Sequence, residues 1–182
     1  MKRILVFAIF TIAIALFVNA CGSRAMNTAK LAYQKGEFDK ALESLNQELV
    51  VNPKNGEAWN MLIDIYLKKD DLPNAARAAV KAQENIVDPK FIKEPAAKIY
   101  GIWLDAFNKG VNNLNEFIKT KQESNFQQAL KYFNLGIELR PQILQFHSYK
   151  ASLYEIKGDK AGAEAAYKDY FSQLEQFADF AK

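Results

Sequence analysis

Few side chains in this sequence have the chemistry to react, and each of those stands alone. Cys21 is the only cysteine and His147 the only histidine among 182 residues. A thiol becomes a strong nucleophile when a neighbouring base or cation lowers its pKa. An imidazole acts as a base only within hydrogen-bond reach of the proton it takes. Nothing in the spacing joins Cys21 to His147. One cysteine and one histidine also fall short of a zinc set, which needs three or four such ligands. Asp70-Asp71 and Glu155 with Asp159 are the acid pairs, and they suit helix capping and solvation rather than calcium or acid–base work. Gly158 and Gly162 have the spacing of a membrane dimer motif, but Asp159 and Lys160 between them are charged. No glycine-rich phosphate loop is present in the sequence. No catalytic or metal-binding residue is therefore assigned, and no cofactor is expected.

The composition describes a chain that folds rather than one that stays disordered. Apolar residues make up 49% and charged ones 25%, the balance of a globular domain. There are 24 basic and 21 acidic side chains, and two of the basic ones, Lys2 and Arg3, sit in an amino-terminal leader. The remainder is close to neutral, so its overall charge points neither to nucleic acid nor to an anionic membrane. Eight glycines and five prolines are too few for the turns of a many-stranded sheet.

After Lys2 and Arg3 the run Ile4 to Val18 is apolar apart from Thr11. As a helix it would span ~22 Å, short of the ~30 Å of bilayer hydrocarbon, which fits a secretory signal core better than a membrane span. Val18-Asn19-Ala20-Cys21 then resembles the lipobox of bacterial lipoproteins, in which a Leu and two small residues precede the cysteine. The resemblance implies removal of residues 1–20 and a diacylglycerol on the Cys21 thiol, with three acyl chains on the mature residue. Two acyl signals already hold a protein stably on a membrane. Gly22 rather than Asp after the cysteine favours the outer membrane by the sorting rule of many Gram-negative lipoproteins, with the periplasmic face and the cell surface both open. The same residues also read as an ordinary Ala-type cleavage site, or an uncleaved anchor, before a free thiol.

What positions these residues is a repeat. Gly36-Glu37-Phe38-Asp39-Lys40-Ala41 aligns with Asp70–Ala75, Ser124–Ala129 and Gly158–Ala163. The closing alanines, Ala41, Ala75, Ala129 and Ala163, are 34, 54 and 34 residues apart. The second unit also carries Trp59, Leu62 and Tyr66 ahead of Ala75, and the fourth has His147 where Trp59 stands. In this pattern the chain resembles the tetratricopeptide repeat (TPR) family over roughly Ala25 to Tyr170. The resemblance implies an all-α fold: a short right-handed α-solenoid of antiparallel helix pairs, with one long inserted helix and an amino-terminal signal helix. The expected organisation is a leader over 1–20, a lipidated tether over 21–28 and a repeat domain over 29–182. The repeats are placed near 25–56, 57–88, 96–142 and 143–181. Small residues at the aligned alanines allow two helices to cross closely. Asp71, Asn125 and Asp159 are suited to cap the second helix of each pair, Pro73 its first turn, and Pro53 and Pro141 the helix ends.

The extra twenty residues of the second spacing lie between Asp88 and Ser124. Pro95 can open a helix, and Ile99, Trp103, Phe107, Val111, Leu114 and Phe117 follow at steps of three or four, predicting one helix of ~25 residues. Tyr100, Trp103 and Phe107 are either an exposed aromatic anchor for a partner or packing against the neighbouring repeats. Tyr167, Tyr170, Phe171 and Leu174 on the last helix are expected mostly in the core.

The resemblance implies a partner-binding groove lined by the first helices of the pairs. In this register it holds Lys30, Tyr33, Gln34, Asn60, Asp64, Lys68, Ser148, Ser152 and Glu155. Met26 stands where a C-terminal carboxylate clamp would have its first lysine, so that ligand is not expected. The implied function is a protein-binding adaptor, held on the envelope membrane by the lipid on Cys21 and taking a protein or peptide partner rather than nucleic acid. A different class remains: an envelope-anchored binder of a small molecule or glycan, or an accessory subunit of an enzyme, with a pocket walled by Tyr100, Trp103 and Phe107. Oligomeric state is open.

Overall fold

The computed structural model describes residues 23–180, with side chains to 176. The signal helix and Cys21 lie outside them. Eight helices follow in order: α1 Arg24–Gln34, α2 Phe38–Val51, α3 Gly56–Lys68, α4 Leu72–Asn85, α5 Glu94–Thr120, α6 Glu123–Leu139, α7 Leu144–Lys157 and α8 Lys160–Phe180. No strand occurs among the described residues. Short turns fold α1 onto α2, α3 onto α4, α5 onto α6 and α7 onto α8, and each hairpin stacks on the next, the tetratricopeptide-like solenoid that the repeats imply.

The turns carry the repeat at the level of the backbone. Gly36, Asp70, Lys121 and Gly158 have φ of 74°, 56°, 57° and 82°, one in each hairpin turn. That left-handed conformation is open to glycine and costs other residues about 1–2 kcal/mol. In the third turn it falls at Lys121, three residues ahead of the position that aligns with Gly36. Helix α6 consequently starts early and runs 17 residues, where α2 and α4 have 14. Asn125 is therefore inside the first turn and caps nothing; its amide donates to Thr120 Oγ1 at 3.1 Å. Asp71 and Asp159 do cap their helices, accepting from the amides of Asn74 and Gly162 at 3.2 and 2.9 Å.

The aligned alanines are at the tightest crossings: Ala41, Ala75 and Ala129 are fully buried and Ala163 nearly so. Two glycines serve the same purpose where aromatic rings press on a backbone. A Cβ on Gly110 would lie 2.5 Å from Phe133, and one on Gly136 would lie 2.1 Å from Phe146. Helix α5, one helix of 27 residues as its stripe predicts, divides the core. Ile99, Ile102 and Ala106 join a cluster with α1 to α4, and Leu114 and Phe117 join a second with α6 and α7.

Two expectations are corrected at the ends. Of the segment 21–28 expected as a tether, residues 24–28 are helical: α1 begins at Arg24 with Ser23 as its cap, the hydroxyl accepting from Met26 N at 3.0 Å. Helix α8 has 21 residues against 14 in its partner α7 and so overhangs it. Phe171 and Leu174 are 54% and 42% exposed, and among the described side chains of this helix only Ala163 and Ala166 are buried.

Ser23 also fastens α1 to α2 and, through the carboxylate it meets there, to the start of α3. Its hydroxyl donates to the Glu48 carboxylate, which accepts in addition from Asn52 Nδ2 at 3.0 Å and Asn55 Nδ2 at 2.7 Å. Burial, which raises the pKa of this carboxyl, is outweighed by the three hydrogen bonds, and the net shift is downward. A carboxylate with a lowered folded pKa stabilises above its unfolded value of about 4.3 and loses that contribution as pH falls through the folded value. Glu48→Gln is expected to destabilise at neutral pH by about 1–3 kcal/mol and to flatten the acid side of the stability profile, read from melting temperatures between neutral pH and pH about 3. An unchanged acid limb would contradict this account.

The glycines of α5 and α6 give a paired test by thermal unfolding. Gly136→Ala should destabilise, since the Phe146 ring it would meet is itself buried. Gly101→Ala, with nothing within 4 Å of the added Cβ, should stabilise by up to about 1 kcal/mol through helix propensity.

Candidate functional site

The first helices α1, α3 and α5 are tied together along one face by polar side chains. Lys30 Nζ meets Glu57 Oε2 at 2.8 Å, joining α1 to α3. Lys98 Nζ donates to Asp64 Oδ1 at 2.7 Å and to the Asn60 carbonyl at 3.1 Å, joining α3 to α5. Asn60 Nδ2 donates to Glu94 Oε2 across the same boundary. Further along, Lys109 Nζ reaches Asp70 Oδ1 at 2.5 Å; this hydrogen bond outweighs burial and, with Asp105 nearby, holds the ammonium above its ordinary pKa. Exposed pairs such as Lys30–Glu57 contribute about 0–1 kcal/mol each, so the row orders the face more than it stabilises the fold.

Asn60 is the unusual member. It is only 7% exposed, yet its side-chain oxygen has no donor among the described residues. A buried acceptor left unpaired costs about 1–3 kcal/mol.

The expected groove residues divide between places. Lys30, Asn60 and Asp64 fall in this row. Tyr33 is half-buried and turned into its own hairpin, 6.1 Å from the Phe38 ring. Gln34 and Lys68 are exposed at the far ends of α1 and α3. Ser148 Oγ donates to the Gln145 carbonyl of its own helix at 2.9 Å. Ser152 and Glu155 meet the Tyr167 hydroxyl on α8, and the hydrogen bond to Glu155 raises the Tyr167 pKa. Glu155 and Tyr167 also line an open cleft of about 390 Å³ at the last hairpin. Glu94 and Lys98 belong to the row and were missed. Their i, i+4 spacing opposite Asn60 and Asp64, also i, i+4, was the available signal.

The aromatic candidates form a stacked series on α5. Tyr100, Trp103 and Phe107 follow at 5.9 and 6.3 Å between centroids, and Phe146 of α7 stands edge-on to Trp103 and Phe107 at 5.4 and 5.6 Å. Phe146 thus fills the side on which Trp103 and Phe107 would have walled a pocket. Tyr100 is 51% exposed and lies under the Arg140 guanidinium at 5.3 Å. His147 is buried and structural: its Nε2 is 3.2 Å from the Pro141 carbonyl, as Trp59 Nε1 is 2.7 Å from that of Pro53. Both partners are six residues back, so the imidazole repeats the indole's bond. Among the described residues no three His, Cys, Asp or Glu side chains are grouped to hold a metal ion, and no helix is long and apolar enough to cross a membrane.

Residues 26–88 match the tetratricopeptide repeat family. The match spans the first two hairpins and includes Lys30, Asn60 and Asp64. Tetratricopeptide hairpins are protein-binding modules. Among curated proteins no relative matches the sequence. Solved structures with similar chains include a tetratricopeptide repeat protein from Parabacteroides merdae at 21% identity, covering 94% of this chain and 60% of that one, with a TM-score of 0.38. PilW, described as a type IV pilus biogenesis factor, is 20% identical over 83% of this chain and 76% of its own, at 0.35. MamA is 18% identical over 85% and 79%, at 0.36.

Trp103 Nε1 is buried without an acceptor among the described residues, so Trp103→Phe should leave the melting temperature unchanged or raised. Trp103→Ala, which strips Phe146 and Phe107 of a neighbour, should cost about 3 kcal/mol. Equal losses would show that the indole N–H is satisfied in solution.

Proposed function

We propose that this protein is an adaptor of the bacterial cell envelope, anchored by lipid on Cys21, that receives a segment of a partner protein on the face shared by α1, α3 and α5. The observation that carries the reading is the row of charged side chains Lys30, Glu57, Asp64 and Lys98 along one face, running from the tetratricopeptide-matched hairpins to α5. These pairs are half-exposed and weak, so a partner's polar and charged groups can exchange into them and be oriented by Lys30, Asp64 and Lys98. Gly22 makes the outer membrane the preferred location. No catalytic step is assigned.

The test is capture of envelope proteins by the detergent-solubilised native protein under mild cross-linking. Asp64→Ala should weaken capture about tenfold, equivalent to ~1.4 kcal/mol, with helical content unchanged. Cys21→Ser should release the protein from the membrane fraction. Capture that is indifferent to Asp64 would sink the assignment of the face. A change in tryptophan fluorescence on titration with cell-wall fragments or metabolites would favour a small-molecule or glycan binder instead.

A further inference from the structure

The point where the chain enters the fold fixes which end of the solenoid meets the membrane. Ser23 caps α1, and its hydroxyl is bonded to buried Glu48, which also holds Asn52 and Asn55. The start of α1, the end of α2 and the start of α3 therefore converge on one carboxylate. The loop before α5 adjoins them, since a Cβ on Gly56, the first residue of α3, would lie 2.6 Å from Phe91. Only Gly22 separates Ser23 from Cys21, and two peptide units span at most ~7 Å.

This end carries the three most exposed of the large apolar side chains among the described residues. Val50 and Val51 at the end of α2 are 83% and 75% exposed, and Val87 and Ile92 in the loop before α5 are 62% and 48% exposed. Arg24, Lys54, Lys90 and Lys93 stand among them, and none of the four has an ion-pair partner among the described residues. Among the acids of the same end, Glu57 pairs with Lys30, whereas Asp88 accepts from the Lys90 amide, Glu94 from Asn60 and Glu48 from its three donors, neutral groups that leave the carboxylate charge in place. What suits the four cations to phosphate is that none of them is held in an ion pair.

We propose that this end docks directly on the anionic phospholipid surface that holds the anchor, with Val50, Val51, Val87 and Ile92 at headgroup depth and Arg24, Lys54, Lys90 and Lys93 against the phosphates. The inference rests on lipidation of Cys21. A domain held within ~7 Å of its anchor lies inside the Debye length of about 8 Å at physiological salt, where headgroup charge is felt. Apolar groups mixed with cations are the composition of surfaces that settle at a membrane interface.

The test uses the full-length protein with Cys21 lipidated, reconstituted in phosphatidylcholine vesicles with and without phosphatidylglycerol. With Cys21 capped, Val51→Cys, Ile92→Cys or, as a control at the other end of α3, Asp70→Cys supplies the one free thiol for a nitroxide. Collision with a water-soluble nickel chelate should fall several-fold at 51 and 92 relative to 70, and further with phosphatidylglycerol. Charge reversal by Lys90→Glu with Lys93→Glu should restore collision at 92 while the protein stays in the membrane fraction. Mass spectrometry of the amino terminus separates the two ways to fail. An unlipidated Cys21 removes the anchor itself. A lipidated protein whose positions 51 and 92 are as accessible as 70, or whose protection ignores phosphatidylglycerol, overturns the docked orientation.

Discussion

The structure depends on how closely two helix backbones can approach. Helices normally pack 8–10 Å apart, the distance set by the side chains at the contact. Here the contacts are Ala41, Ala75, Ala129 and Ala163 between the helices of each pair, and Gly110 and Gly136 where Phe133 and Phe146 press in. Close approach lets large side chains such as Leu45, Ile63, Phe126 and Leu153 bury fully on either side of the crossing. Since interiors are packed at crystal-like density, a single added methyl at such a point has nowhere to go. The left-handed residues at 36, 70, 121 and 158 complete the constraint by turning each chain tightly back onto its own alanine.

That constraint is also what made the hairpins legible. Alanines 34 residues apart betray a repeat because the crossing tolerates little else, and the length of α5 could be counted from its stripe. The third turn was read three residues late, because Lys121 in a left-handed turn gives no glycine signal and Ser124–Ala129 matches the pattern from inside α6. The site was less legible. Lys30, Asn60 and Asp64 follow from helical register alone, whereas Glu94 and Lys98 required knowing which part of α5 lies against α3. Ser23 and Glu48 are 25 residues apart with no periodicity between them, and only the fold joins them. On α8 an aromatic stripe suggested core, but a stripe states which side chains share a face and not whether anything covers it; α7 is too short to do so.

The long α5 gives the molecule two cores with different characters. Its first half packs on hairpins rich in alanine, isoleucine and leucine, and there it also supplies Glu94 and Lys98 to the polar face. Further along it packs among Phe126, Phe133 and Phe146, the last standing edge-on to Trp103 and Phe107. The aromatic half contributes rigidity through ring contacts worth about 0.5–1.5 kcal/mol each beyond their burial. A face that must hold a partner in fixed geometry benefits from a stiff neighbour, since ordering its side chains beforehand lowers the entropy lost on binding.

Anchor and face are connected through the same buried acid. Helix α1 buries only Met26, Ala29 and Ala32, too little apolar surface to hold it firmly alone, and the bonds from Ser23, Asn52 and Asn55 to Glu48 secure its first turn to α2 and α3. In the proposed orientation the first helices begin at the membrane and run outward. Lys30, Asn60 and Lys98 are then six, four and four residues in from their helix starts, a rise of ~6–9 Å. The polar row would lie just above the headgroups, so a partner would have to offer a segment running close to the bilayer. A short linker of this kind narrows what can bind, because reach is exchanged for a fixed height and direction.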